Sequence, residues 1–167
     1  QMVGDADSGG YDRLVAKLAA GSPLEQRAAV AAVAEPRLLA SAEAVRRGLR
    51  ILDKTTRSLT QLPKPLDEKA RVLRQALGYA WSVLVVANPE LGKPAMEAWL
   101  RSSDVDVRWL MAQNLAKKRL LRLDSAWCAE WSRRLRSKSQ TGSRRSSASK
   151  ARRKIEKHVK HWTSDAG

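Results

Sequence analysis

Residues 95–115, AMEAWLRSSDVDVRWLMAQNL, give the clearest indication of the fold. Its apolar residues recur three and four positions apart, as on one face of a helix: Met96, Trp99 and Leu100, then Val107, Leu110, Met111 and Leu115. Between the two groups, Ser102-Ser103-Asp104 supplies a tight turn and a helix cap. The stretch therefore predicts two helices joined by a short turn, over about Pro89–Arg101 and Val105–Arg119.

The flanking sequence continues with amphipathic helices. Ser22 can cap a helix in which Pro23 fits the first position and Glu25 completes a capping box. No segment of any length alternates apolar and polar residues with period two, so we predict no β-sheet. The further predicted helices are Tyr11–Leu18, Ser22–Glu35, Ser41–Leu62, Leu66–Ala87 and Ser125–Arg136. Of these, Leu66–Ala87 is apolar on nearly every side after Gly78 and is expected at the centre of the core.

The segment from Leu73 to Leu120, with residues 95–115 as its most telling part, resembles HEAT-type helical repeats. It is most similar to bacterial HEAT-repeat proteins whose activity is not established. Residues 14–34, LVAKLAAGSPLEQRAAVAAVA, show a second and weaker resemblance to the same repeats. The resemblance implies an all-α, HEAT-like (armadillo-like) α-solenoid, a short right-handed stack of antiparallel helix pairs, but it says little about function because such stacks bind many unlike partners.

The organisation predicted along the chain is a helical body followed by a basic tail. The segments are a disordered lead-in over 1–10, the helical-repeat domain over 11–136, a basic Ser-rich linker over 137–149, a short basic amphipathic helix over 150–162 and a disordered end over 163–167. Residues 1–131 hold 20 Lys/Arg and 15 Asp/Glu, whereas residues 132–167 hold 12 and 2. Such a tail predicts attraction to DNA, RNA or another acidic surface.

The candidate residues for binding nucleic acid or an acidic partner fall on two helices and in the tail: Arg46, Arg50, Lys54, Arg57, Lys117, Lys118, Arg119, Arg122, Arg144, Arg145, Arg152, Arg153 and Lys154. Two plainer interpretations stay open. A row of charges along a helix is often only a solvated face. The cluster from Lys117 to Arg122 can also be a helix C-terminus stabilised by the helix dipole.

Little in the sequence favours catalysis. Both histidines, His158 and His161, lie in the tail, and the single cysteine, Cys128, sits on an amphipathic helix where a structural thiol is expected. No glycine-rich phosphate loop is present. We therefore predict no cofactor and no metal site. The longest near-apolar run, residues 76–87, is too short to cross a bilayer, and together with the lone cysteine it leads us to expect a cytoplasmic protein.

One enzymatic alternative comes from the same resemblance. Some alkylpurine DNA glycosylases in DNA repair are built from HEAT-like repeats and surround a cationic damaged base with Trp, Asp and Arg. The residues that would form such a base pocket are Trp81, Trp99, Asp104, Asp106, Arg108 and Trp109. Each also has a plainer interpretation, because the tryptophans fall on apolar stripes and the aspartates fall where helix caps belong.

The function predicted first is a non-enzymatic binding module or scaffold. The helical surface would hold a protein partner, and the basic tail would add sequence-independent attraction to nucleic acid. The sequence leaves open whether the chain forms oligomers.

Overall fold

The computed structural model describes residues 5–137, with side chains from residue 9 onward. This part of the chain consists of helices joined by turns and contains no strand, which confirms the prediction of an all-α fold. The helices are α1 (Asp5–Leu18), α2 (Pro23–Val33), a 3₁₀ turn (Pro36–Leu38), α3 (Ala42–Gln61), α4 (Glu68–Ala87), α5 (Pro89–Leu100), α6 (Val105–Leu115), α7 (Lys118–Leu123) and α8 (125–137).

Each helix from α2 to α6 begins where a polar side chain accepts a hydrogen bond from a backbone N–H of the first turn. The α2 start has the predicted capping box, in which the Ser22 N–H donates to Glu25 in return. Pro36, Pro63 and Pro89 mark the ends of α2, α3 and α4. The capping residues are Ser22, Ser41, Asp67, Asn88 and Asp104.

The helix α4 lies at the centre of the packing, as its sequence predicts. It contacts α2, α3, α5, α6 and α7. Its second half is buried on nearly all sides, including the fully buried Trp81. α5 approaches α4 closely at Gly92, where an added Cβ would lie 2.5 Å from the Val85 Cα, so only glycine fits there.

Two helix boundaries differ from the prediction. α1 begins at Asp5, within the segment predicted to be a disordered lead-in. In the part of α1 that contains Gly9 and Gly10, the Arg13 Nε donates a hydrogen bond to the Gly9 carbonyl. The helix predicted to run to Arg119 stops at Leu115, and α7 starts as a separate helix at Lys118. The break has no proline or glycine; α7 turns so that Leu120 is buried, and it packs on α4.

Within residues 5–137, no helix is both long enough and apolar enough to cross a membrane.

Candidate partner-binding surface

The helix α6 is apolar on two opposite faces. One face is buried, as predicted, through Val107, Leu110, Met111 and Leu115. The other is exposed and carries Val105, Trp109, Ala112 and Ala116 at the four-three-four spacing of a single helix face, and we call these four residues the α6 stripe. Val105 is 71% exposed and Trp109 is 37% exposed. A surface helix normally has a polar outer face, and Val105 is the most exposed large apolar side chain among residues 9–137.

Asn114 fixes α6 against α4. Its side chain is fully buried, and its Oδ1 accepts a hydrogen bond of 2.9 Å from the backbone N–H of Ser82 in α4. Its Nδ2 donates to the Leu77 carbonyl of α4 and to the Leu110 carbonyl of its own helix, each at 2.8 Å. Because these bonds are buried and satisfied, they hold the α6 stripe at a defined position beside α4.

Two arginine–aromatic pairs connect α4 with its neighbours, one to Trp109 of the α6 stripe and one to Arg119 of α7. The Arg74 guanidinium lies 4.3 Å from the centroid of the Trp109 ring, and the Arg119 guanidinium lies 5.2 Å from that of Tyr79, which is 37% exposed. Gly78, next to Tyr79 in α4, lies close under Trp109: a Cβ there would be 3.4 Å from the ring. We call the α6 stripe with Arg74, Tyr79 and Arg119 the α4–α6 face.

The basic cluster of residues 117–122 lies where α6 ends and α7 begins. The interpretation of this cluster as a stabilised C-terminus assumed one helix continuing to Arg119. In the structure Lys118 and Arg119 occupy the first turn of α7, where the helix dipole disfavours positive charge, and Lys117 caps α7 without a side-chain hydrogen bond. Among the ion pairs of residues 9–137, none involves these three residues or Arg122.

The cationic row on α3 is partly balanced by its own helix. The Arg46 and Arg50 guanidinium groups lie 3.8 and 3.6 Å from the Glu43 carboxylate, and Arg57 lies 3.2 Å from Asp53. These exposed pairs contribute little to stability, but they reduce the positive field of the row. Lys54 is exposed on the same helix.

Asp106 of the alternative base pocket is held between two cations. The Arg74 guanidinium lies 2.6 Å from its Oδ1, and the Lys64 ammonium donates to its Oδ2. Burial by itself raises the pKa of Asp106, but the hydrogen bonds and charges of Lys64 and Arg74 outweigh it and hold that pKa below its ordinary value. The carboxylate is thus charged and already neutralised, and it is not offered to a cationic base.

The other residues of that pocket do not converge on one cavity. Trp81 is fully buried and its indole N–H donates to Thr56 Oγ1 at 3.2 Å, whereas the Trp99 indole donates to Asp53 at 3.0 Å. Asp104 caps α6 by accepting from the N–H groups of residues 106 and 107. Arg108 is half-buried on α6.

Cys128 is buried, and burial together with the nearby Asp124 raises the pKa of its thiol, which lowers its reactivity. In the part of the chain the structure describes, no three His, Cys, Asp or Glu side chains are grouped closely enough to hold a metal ion. A cavity of about 630 Å³ lies among α1, α2, the 3₁₀ turn and α3, and its polar lining includes Arg50 and the Asp12–Arg47 ion pair.

The tail candidates Arg144, Arg145, Arg152, Arg153 and Lys154 lie outside the described residues. Sequence reasoning missed the α6 stripe, although its spacing is visible in residues 105–116, because the same helix already had a complete apolar face for the core. It also missed Lys64 and Asn114, whose partners lie 42 and 32 residues away in the chain.

Comparison with known proteins found no protein-family model, no curated protein and no solved structure that matches the chain.

Proposed function

We propose that the chain is a non-enzymatic helical-repeat module of the HEAT type that holds a protein partner on the α4–α6 face. The observation that carries the proposal is the α6 stripe, an apolar face on a helix that is already anchored by its opposite face. Contiguous exposed apolar surface of this kind is typical of interaction sites. The basic residues of the tail would add sequence-independent attraction to nucleic acid.

The order of helix contacts supports the repeat architecture. The second helices of successive pairs touch, α2 with α4 and α4 with α6, and so do the first helices α3 and α5. The second helices begin at residues 23, 68 and 105. The first interval, 45 residues, falls within the roughly 40–47 residues of a HEAT-type unit, and the second, 37 residues, is slightly shorter. Contact between neighbouring pairs is what a helical-repeat stack requires.

A similar set of side-chain contacts joins α3 to α5 and α5 to α8, and it supports the same architecture. On α3, Asp53 accepts from the Trp99 indole while Arg57, one turn later, lies 5.8 Å from the centroid of that ring. On α5, Glu97 accepts from the Trp127 indole at 2.9 Å. Arg101, one turn after Glu97, lies 5.4 Å from the centroid of Trp131.

Positions 53 and 97 are about one repeat apart. The acid at each position forms an ion pair with an arginine four residues later, Asp53 with Arg57 and Glu97 with Arg101. A similar acid–arginine pair therefore contacts a tryptophan of α5 from α3 and tryptophans of α8 from α5.

The glycosylase alternative gains no support from the described residues, because Asp106 is neutralised and Trp81 is inaccessible. The α4–α6 face, in contrast, lies on the side formed by the second helices. Its anchor residues are fixed by α4 and α6 before any partner arrives, which lowers the entropic cost of binding.

The test is capture of proteins from nuclease-treated cell extract on the immobilised full-length chain. Three forms are compared: wild type, Val105→Glu, and the control Leu14→Glu, which places the same charge at an exposed apolar site of α1. Both substitutions are at exposed positions, and far-UV circular dichroism checks that each variant is folded. The proposal predicts a protein that wild type and Leu14→Glu retain and Val105→Glu loses. Equal retention by all three, or retention only without nuclease, contradicts it.

A further inference from the structure

We infer that the segment received by the α4–α6 face is a short acidic amphipathic helix of the partner. This inference rests on the proposed function and specifies the chemistry of the partner. The face supplies both parts of such a match, an apolar stripe for the inner side of the helix and cations for its flanks.

The charge of the face fits an acidic occupant. Arg74 and Arg119 lie against the two exposed rings, and Lys117 and Lys118 follow directly after the α6 stripe. Two carboxylates lie at the start of the α6 stripe, Asp104 and Asp106, and they pair with Lys64 and Arg74. The cations left to attract an acidic segment are therefore Lys117, Lys118 and Arg119. A partner with glutamates or aspartates beside its apolar residues would therefore be drawn to the face and oriented on it.

The dimensions of the α6 stripe fit a helix. From Val105 to Ala116 the stripe covers about three helical turns, or roughly 16 Å. Trp109 is the large anchor in its middle, and Ala112 and Ala116 are small enough to let a second backbone come close, about 8–10 Å between axes. A partner helix of about three turns with apolar residues at positions i, i+4 and i+7 would cover it.

Three other occupants match the face less well. The tail of the chain is strongly basic, and a second copy carries the same positive charge, so both would be repelled. Single-stranded nucleic acid would find cations and two rings, but Val105, Ala112 and Ala116 offer nothing on which bases can stack. The aliphatic part of the stripe therefore favours a protein segment.

The test measures binding of fluorescein-labelled probes to the full-length chain by fluorescence anisotropy. The first probe is an acidic peptide of about 15 residues with Leu at i, i+4 and i+7 among Glu and Ala. Two control peptides are the same sequence with every Glu replaced by Lys and an acidic peptide of equal composition with its Leu residues scattered. The fourth probe is an oligothymidine of about 15 nucleotides. Measurements at about 50 mM and 300 mM salt distinguish the charge-dependent part of the binding, which salt screens, from the apolar part, which it does not.

The inference predicts that the first peptide binds at least about tenfold more tightly than each of the other two peptides, and that the oligothymidine does not displace it. Val105→Glu and Arg119→Glu should each weaken that binding about five- to tenfold. The controls Leu14→Glu and Lys69→Glu, at exposed positions outside the face, should change it less than twofold.

Equal binding of the scattered-Leu peptide, displacement of the first peptide by the oligothymidine, or insensitivity to Val105→Glu would overturn the inference. The two proposals can fail separately. If a protein is captured from the nuclease-treated extract by wild type and not by Val105→Glu, but the acidic peptide does not bind, the proposed binding module stands and the acidic helix is rejected. If no such protein is captured, the failure belongs to the proposed function.

Discussion

Replacing Asn114 by alanine tests how firmly α6 is fixed to α4. The substitution removes three hydrogen bonds, two of which reach α4, from a fully buried site. A typical hydrogen bond contributes about 1 kcal/mol, and each buried group left without a partner costs about 1–3 kcal/mol. Some of the freed backbone groups can still bond within α4, so we expect a loss of about 3 kcal/mol in the free energy of unfolding.

The assay is urea unfolding followed by far-UV circular dichroism. With a slope of about 1.5–2 kcal/mol per molar urea, the loss lowers the unfolding midpoint by about 1.5–2 M. The control is Gln113→Ala, because Gln113 is the exposed amide next in the chain and its replacement should change stability by less than about 0.5 kcal/mol. If Asn114→Ala unfolds within about 1 kcal/mol of wild type, Asn114 does not hold the two helices together.

Three further predictions concern stability and reactivity. Asp106→Asn should lower the free energy of unfolding by about 2 kcal/mol at pH 7. Because the folded-state pKa of Asp106 is lowered, its stabilising contribution is present above about pH 4 and fades as the pH falls through that pKa. A difference in urea midpoint between variant and wild type that is equally wide at pH 3 and pH 7 would contradict the ion pairs. Gly92→Ala should lower the thermal unfolding midpoint by at least about 5 °C, because the added Cβ would lie 2.5 Å from the Val85 backbone. Gly78→Ala, whose added Cβ would lie 3.4 Å from its nearest neighbours, should change that midpoint by less than about 3 °C, and similar shifts for the two variants would contradict the close packing of α5 on α4. Iodoacetamide should modify Cys128 at least about tenfold more slowly in the folded chain than in urea, and equal rates would show that its thiol is not buried.

The sequence predicts most of the helices because their signals are local. Caps such as Ser22 and Asp104, and prolines such as Pro89, act within a few residues of the helix end that they set. The break between α6 and α7 has no such signal. It follows from the packing of Leu120 and of α7 on α4, which depends on residues far away in the chain.

The candidate site is less predictable for the same reason. The sequence identifies Asp106 as a possible cap or base-pocket residue but not as half of an ion pair, because Lys64, its partner across 42 residues, becomes a neighbour only after folding. The cations of α3 look like one positive surface in the sequence, but Glu43 and Asp53 pair with three of the four and offset part of their charge. In contrast, the spacing of Val105 and Trp109 is visible in the sequence, yet only the packing of α6 shows that this face stays exposed.

Photo-crosslinking in living cells from the α6 stripe shows whether a protein lies on it. A photoreactive phenylalanine analogue replaces Val105 in the chain, and a matched form carries the same analogue in place of Leu14, which is also exposed. We expect a discrete protein adduct from position 105 that survives nuclease and is absent from position 14. Identical adduct patterns at both positions, or adducts only to nucleic acid, would contradict the claim that the α4–α6 face holds a protein partner.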